Sequence, residues 1–211
     1  MKKKVENLGQ AQIISIFPTP VYRCSFSRQF SPREKTFFDS QLPGLEPNVG
    51  NRVGTHTHIL NAKPLRIIKK ELEIRLQDYL EKVLNAESGT KLYITQSWMN
   101  HTAPNEWHHE HTHPNSYVSG VLYLNADKNN DKIFFDNHRY AQIILDRKSY
   151  NSWNTSGYWL PVETGNLIMF PSSLAHSVHN KKGNNQRVSL SFNTFIKGKL
   201  GSPSRLTELK L

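Results

Sequence analysis

From Lys91 onward the chain alternates between short runs typical of β-strands and clusters of Asn, Gly, Pro and Asp, which are typical of turns. The predicted strands span residues 92–100, 117–125, 132–136, 141–145, 166–170, 176–180 and 187–195. Many short strands at regular spacing favour a sandwich or a barrel, and jelly rolls belong to that class. In the last strand, residues 188, 190 and 192 are apolar and the residues between them polar, so one side should face a core.

The first 90 residues follow a different pattern, which predicts helices and loops. Ser31 can cap a helix that begins with Pro32, and Glu34 completes a capping box. Residues 42–55 contain two Pro, three Gly and two Asn, which predicts a loop. Apolar residues at three- and four-residue steps predict an amphipathic helix over 64–86 that lies against a sheet.

We expect these parts to form one domain over residues 1–211, because one domain is the usual arrangement at this length. Residues 1–90 would pack on a jelly-roll core of residues 91–197, and residues 198–211 would form a tail.

Composition limits the kinds of metal ligand that the chain can offer and the cellular location that we expect for it. A single cysteine, Cys24, excludes a disulfide framework and a Cys-rich zinc module, whereas ten histidines offer imidazole ligands. The basic N-terminus, Met1 to Lys4, is followed by no apolar region, and no apolar run approaches the roughly 20 residues of a membrane span. We therefore expect a cytoplasmic protein without a membrane partner. The net charge of +10 permits an acidic partner without establishing one.

Four histidines fall within six positions, at His108, His109, His111 and His113. In an extended segment alternate side chains share a face, so His109, His111 and His113 should point one way, and His108 and Glu110 the other. A His-x-His pair places two imidazoles within reach of one ion, and imidazole suits iron, zinc, copper and nickel. The alternative interpretation of such a run is a surface tract.

A third ligand and an anion anchor follow later in the chain. His176 begins a predicted strand after a tight loop, and Arg187 and Ser189 share the polar side of the next strand. An arginine holds a carboxylate through two parallel hydrogen bonds, and a hydroxyl adds one more. This order of residues suits an enzyme that chelates a 2-oxo acid on iron. The other seven histidines are interpreted as dispensable to the chemistry: His56, His58, His101, His108, His109, His138 and His179.

At these residues the sequence resembles a family of 2-oxoglutarate- and Fe(II)-dependent oxygenases found in bacteria and tailed phages. The matching segments cover most of the chain and occur at residues 16–22, 97–100, 111–116, 119–124, 165–171, 176 and 187–193. The resemblance implies a double-stranded β-helix, which is a jelly-roll barrel with the metal inside one open end. The N-terminal helices would buttress one of its sheets.

Transferred residue by residue, the resemblance implies that His111, His113 and His176 bind Fe(II). It implies that Arg187 and Ser189, with Tyr123, bind the distal carboxylate of 2-oxoglutarate, with O2 as the second cosubstrate. The broader superfamily uses two histidines and one carboxylate, so His113 departs from its pattern. An alternative register, His108-x-Glu110, would restore the carboxylate.

The function predicted from this resemblance is hydroxylation of an oxidisable substrate, with release of succinate and CO2. One alternative is a three-His, cupin-like metalloenzyme that uses no 2-oxoglutarate. Another is a non-enzymatic phage jelly-roll binding module. The substrate would be a small molecule or a protein side chain. The basic C-terminal region also allows nucleic acid, and a homo-oligomer is compatible with the sequence. The aromatic segment 138–161 is interpreted as a lid or pocket wall, or as core.

Overall fold

The computed structural model describes residues 12–138 and 145–211. Two α-helices and thirteen strands make up its named elements. In chain order these are β1 (Tyr22–Ser25), α1 (Pro32–Gln41), β2 (Leu45–Pro47), β3 (Arg52–Gly54), α2 (Arg66–Tyr79), β4 (Lys91–Thr102), β5 (His108–His111), β6 (Val118–Asn125), β7 (Lys132–Asp136), β8 (Gly157–Pro161), β9 (Asn166–Pro171), β10 (His176–Val178), β11 (Arg187–Lys197), β12 (Lys199–Leu200) and β13 (Leu209–Lys210). Short 3₁₀ turns occur at Leu42–Gly44, Ile59–Asn61, Lys63–Leu65 and Pro203–Arg205.

Two antiparallel sheets build the barrel, which confirms the predicted jelly-roll class. The larger sheet has the strand order β1-β9-β6-β11-β4-β3-β2, and the smaller has the order β5-β10-β7-β8. A buried apolar cluster lies between them, because it combines Val121 of β6 and Ile168 of β9 with Ile133 and Phe135 of β7. The metal and anion residues considered below lie among these inward-facing side chains.

A second apolar core joins the helices to the outer face of the larger sheet. Leu72 and Leu76 of α2 are fully buried there together with Leu190 and Phe192 of β11. The ring of Phe192 lies against the backbone of Gly120 on the neighbouring strand, where an added Cβ would collide with it. The helices therefore cover the face of the larger sheet that points away from the barrel interior.

The two predicted helices are confirmed, with different ends. The capping box of α1 is formed: Ser31 Oγ accepts from the backbone N–H of Glu34, and the Glu34 carboxylate accepts from that of Ser31. The second helix begins as a 3₁₀ turn, continues as α2 and ends in a π-helical turn, Leu80–Leu84. Asn85 follows with φ 46°, a left-handed conformation that stops the helix.

Several sequence predictions of strands and loops are corrected. The segment 42–55 contains β2 and β3, because Val53 pairs with Asn100 at the edge of the larger sheet. The edge strands β1 and β8 were not predicted; β1 pairs along the longer β9, and β8 pairs along the equally long β7. Of the predicted strand 141–145, residues 141–144 lie outside the described residues, and Leu145 belongs to no strand.

Among the described residues, no helix has the length and apolar character required to cross a membrane.

Candidate metal and cosubstrate site

A β-bulge determines which histidines reach the barrel interior. His176 of β10 pairs with His111 of β5, and Val178 pairs with His108. An advance of two residues along β10 is therefore matched by three residues along β5. The extra residue on β5 interrupts the alternation of side chains. The rings of His108 and His111 stack with centroids 4.5 Å apart, and both line one pocket. The sequence prediction that they lie on opposite faces is therefore wrong, and His109 does not line this pocket.

His111, His113 and His176 come together at one end of this pocket. Their ring nitrogens lie within 4.8 Å of one another, and the Nε2 atoms of His113 and His176 are 3.3 Å apart. His111 and His176 are paired across β5 and β10, whereas His113 follows β5 in a loop. The backbone N–H of His113 donates to the carbonyl of Ser172, which ties this loop to the one before β10.

Backbone carbonyls orient two of these rings. His111 Nδ1 lies 2.8 Å from the carbonyl oxygen of His109, and His176 Nδ1 lies 3.0 Å from that of Leu174. A carbonyl oxygen only accepts, so each Nδ1 bears the proton and each Nε2 of the neutral ring has a free lone pair. This is the arrangement by which proteins fix the tautomer of a metal-binding histidine.

Burial also keeps the rings neutral. It lowers the pKa of His113 to about 4 and that of His176 to about 3, with neighbouring histidines adding to both effects. Burial likewise lowers the pKa of His111. Metal ions bind the neutral imidazole, so the cluster is in its ligating form at neutral pH.

The chemistry of the donor set fits a divalent transition metal. Two ligand nitrogens about 2.1 Å from one ion, at a roughly tetrahedral angle, are about 3.4 Å apart, close to the observed 3.3 Å between His113 and His176. Aromatic rings pack against the same histidines, with Phe170 4.6 Å from His176 and Trp98 5.8 Å from His113 between ring centroids. Apolar packing of this kind restricts water at a metal site.

The carboxylate of the alternative register points elsewhere. Glu110 lies at the surface, where its Oε1 is 2.9 Å from His138 Nε2. Neither three-histidine group in the described part of the chain includes an acidic residue, the second group being His108, His109 and His111. The observed geometry therefore favours His113 over Glu110.

The anion anchor lies in the same pocket and is buried. Arg187 is 5% exposed and donates to the carbonyl of Lys132 at 3.0 Å and to the Tyr123 hydroxyl at 3.3 Å. No carboxylate of residues 12–138 or 145–211 forms an ion pair with it. A buried cation normally has an anionic partner, so this end of the pocket is suited to an anion.

Tyr123 and Ser189 complete this end of the pocket. They are paired across β6 and β11, and both are buried. The guanidinium of Arg187 lies 5.1 Å from the ring centroid of Tyr123. Burial raises the pKa of the Tyr123 hydroxyl, although Arg187 acts in the opposite direction, so the hydroxyl stays protonated and can donate. The six residues singled out from the sequence all line the one pocket.

Strand β4 contributes pocket residues to which the sequence assigned no role. Trp98, Asn100 and Thr102 line the pocket and pair with Ser191, Ser189 and Arg187. Asn100 donates through Nδ2 to Ser191 at 2.9 Å, while its buried Oδ1 has no hydrogen-bond partner in the described part of the chain. The signal was available, because alternate residues of a strand beside β11 must face the same cavity.

Other predicted candidates lie away from the pocket. His56 and His58 interact locally in an exposed segment, and His179 stacks on Phe134 with ring centroids 3.5 Å apart. The described aromatic residues of segment 138–161 are largely exposed, and none lines the pocket, so neither a pocket wall nor a core role is supported for them: Tyr150, Trp153, Tyr158 and Trp159.

One known protein family matches part of the chain. Residues 96–193 match the model of the family described as "Putative 2OG-Fe(II) oxygenase". This part of the chain, slightly less than half of the 211 residues, is similar to the 2OG-Fe(II) oxygenase family. The matched interval contains all six predicted site residues. No curated protein matches the chain.

Solved structures share the fold of this chain at low sequence identity. An oxidoreductase of the 2OG-Fe(II) oxygenase family from Burkholderia pseudomallei is 13% identical, with a TM-score of 0.57 and coverage of 82% of this chain and 84% of that chain. HygX from Streptomyces hygroscopicus, with nickel, 2-oxoglutarate and hygromycin B bound, is 16% identical, with a TM-score of 0.53 and coverage of 83% and 82%. A Pseudomonas putida prolyl-4-hydroxylase is 15% identical, with a TM-score of 0.53 and coverage of 83% and 92%.

Proposed function

We propose that this chain is an Fe(II)- and 2-oxoglutarate-dependent dioxygenase in which His111, His113 and His176 hold the metal. Arg187 binds the distal carboxylate of 2-oxoglutarate, and Ser189 and Tyr123 supply further hydrogen bonds. The observation that supports this most is a buried arginine without an acidic partner among the described residues, in the same pocket as three neutral imidazoles. A dianion with a chelating 2-oxo acid at one end matches both features.

The bound Fe(II) would supply the chemistry of the family: one O2 and one 2-oxoglutarate give succinate and CO2, while one oxygen atom enters a C–H bond of the substrate. The protein residues bind, orient and exclude water. The carbonyls of His109 and Leu174 hold two imidazoles with Nε2 toward the metal. Each Nη of Arg187 makes one hydrogen bond within the protein and keeps a second N–H for the carboxylate.

The substrate belongs to the proposal only as a class: a small molecule or a protein side chain with an oxidisable C–H bond. Structural relatives include HygX with hygromycin B bound and a prolyl-4-hydroxylase, so this fold accommodates both kinds. Nucleic acid is a weaker alternative that rests on the basic charge. A cytoplasmic location, either bacterial or in the host of a phage, stays a prediction from the sequence.

A second candidate function is supported by the all-histidine donor set. Three neutral imidazoles also form the ligand set of catalytic zinc, which activates a bound water and needs no 2-oxoglutarate. Such an enzyme gives Arg187 no anion to bind. The two candidates therefore differ in one measurable property, the affinity of the metal-loaded protein for 2-oxoglutarate.

The test combines binding and turnover. We expect the protein loaded with Fe(II) without oxygen to bind 2-oxoglutarate in calorimetry, and to release succinate when air is admitted. His176→Ala should lose at least a hundredfold in metal affinity, because one of three ligands is removed. His179→Ala is the matched control, since that ring stacks on Phe134 outside the pocket. Metal binding without any affinity for 2-oxoglutarate would favour the zinc-type alternative.

A further inference from the structure

The pocket contains one imidazole more than the proposed metal site uses. The bulge in β5 places His108 beside His111, with the two ring planes inclined by 30°. A regular strand would direct His108 away from His111, because they are three residues apart. Bulges are frequent next to active sites, where they redirect a side chain. The redirected side chain here is His108.

The nitrogens of His108 are available to a ligand. The part of the chain that the structure describes offers no hydrogen-bond partner to either ring nitrogen. A neutral imidazole has one N–H donor and one acceptor. His108 lines the same pocket as the three proposed metal ligands and Arg187, so a ligand that spans this pocket would meet its ring.

His108 could also serve as a metal ligand, because its nitrogens lie within 4.8 Å of those of His109 and His111. However, His111 donates through Nδ1 to a carbonyl and has only one lone pair left, at Nε2. An ion held by His108 and His109 would take that lone pair from the site with His113 and His176. The two metal sites exclude each other, and the one with His176 contains the more deeply buried ligand.

We propose that His108 is a cosubstrate-binding residue whose ring N–H donates a hydrogen bond to the 2-oxoglutarate anion between the histidine cluster and Arg187. This inference rests on the proposed function. A hydrogen bond to a charged group is stronger than one between neutral groups, and its loss in a buried site should weaken binding about tenfold or more.

Two substitutions separate hydrogen bonding from ring stacking. His108→Phe keeps an aromatic ring against His111 and removes both nitrogens. His108→Gln supplies an N–H donor without an aromatic ring. His109→Phe is the matched control, because this neighbouring histidine of the same strand does not line the pocket. The readouts are the Kd of 2-oxoglutarate for the Fe(II)-loaded protein without oxygen, and the Kd of Ni(II) for the metal-free protein.

We expect His108→Phe to raise the Kd of 2-oxoglutarate about tenfold or more and to change the Kd of Ni(II) less than threefold. His108→Gln should recover part of the affinity, and His109→Phe should change neither constant. If His108→Phe does not fold, unaltered 2-oxoglutarate affinity in a His108→Ala variant overturns the inference instead.

An unchanged Kd of 2-oxoglutarate in His108→Phe overturns the inference and leaves the proposed function intact. A tenfold loss of Ni(II) affinity in both His108→Phe and His109→Phe also overturns it, since the metal would then occupy the His108–His109–His111 group. If the wild-type protein binds metal but no 2-oxoglutarate, the proposed function itself is wrong, and this inference falls with it.

Discussion

The two faces of β11 have opposite surroundings, although they belong to one backbone. On one face Leu190 and Phe192 are fully buried in the core that joins the helices to the larger sheet. On the other face Arg187, Ser189 and Ser191 line the polar pocket. The two strands that flank β11, β4 and β6, also have one face in this apolar core and the other face toward the pocket.

This division suggests that stability and binding are separable at neighbouring positions. The apolar face contributes free energy of folding through burial, whereas the polar face has little apolar area to bury and presents hydrogen-bonding groups to a ligand. Because β11 is paired on both sides, its backbone should hold the polar face in place even when a pocket residue is changed. Substitutions on each face test this separation.

The largest effect is expected on the apolar face. Phe192→Ala removes a fully buried ring that lies against Gly120 and should lower the free energy of unfolding by about 3–5 kcal/mol. Denaturant unfolding measures the loss. At temperatures where the variant is folded, its Kd for 2-oxoglutarate should stay within about threefold of the wild-type value. A large loss of 2-oxoglutarate affinity in the folded variant would show that the two faces are coupled.

A smaller effect is expected on the polar face, where a substitution should weaken ligand binding and leave stability nearly unchanged. Arg187→Ala should raise the Kd of 2-oxoglutarate about a hundredfold, because Arg187 is the only buried cation among the described residues that line the pocket. The Kd of Ni(II) should remain nearly unchanged. The free energy of unfolding without ligand should shift by about 1 kcal/mol or less, since an unpaired buried charge is removed together with its hydrogen bonds.

The control for this variant is Arg205→Ala, which changes an exposed arginine in the C-terminal region. It should leave both affinities unaltered. If Arg187→Ala lost metal binding instead, the arginine would be supporting the histidine cluster, and the polar face would be structural.

The same contrast explains what could be predicted from the sequence. The alternation in β11 was recognisable because its residues 187–193 pair in unbroken register with β4, so Arg187 and Ser189 share a side, as predicted. In β5 the pattern failed at His108. A bulge depends on the register with β10, which is set by tertiary packing and has no local signal in a run of histidines.

Short edge strands were missed for a related reason. β2 and β3 have three residues each, lie in a segment rich in Gly and Pro, and pair because β4 extends beside them. The described aromatic residues of segment 138–161 are exposed, although their composition is that of a core. In both cases the outcome depends on the neighbouring chain and not on the local sequence.

The smallest effect is expected where polar contacts connect the two loops that position the metal ligands. Ser172 Oγ is within 2.8 Å of the hydroxyls of both Ser119 and Ser116, and the Ser172 carbonyl accepts from the backbone N–H of His113. Ser172→Ala keeps the backbone carbonyl and removes the hydroxyl. Ser172 as a whole is only 1% exposed. Leaving the buried hydroxyl of Ser119 and the half-buried hydroxyl of Ser116 with one partner fewer should cost about 1–2 kcal/mol in the free energy of unfolding.

The informative result is the size of the loss in the free energy of unfolding compared with the loss in Ni(II) affinity. Because the backbone bond to His113 remains, the Kd of Ni(II) should rise only about threefold, and less than in His176→Ala. Ser173→Ala, at an exposed neighbouring position, should change neither quantity. A tenfold or greater loss of metal affinity in Ser172→Ala would contradict the separation of stability and binding inferred from β11. A buried hydroxyl outside the pocket would then determine the geometry of the site.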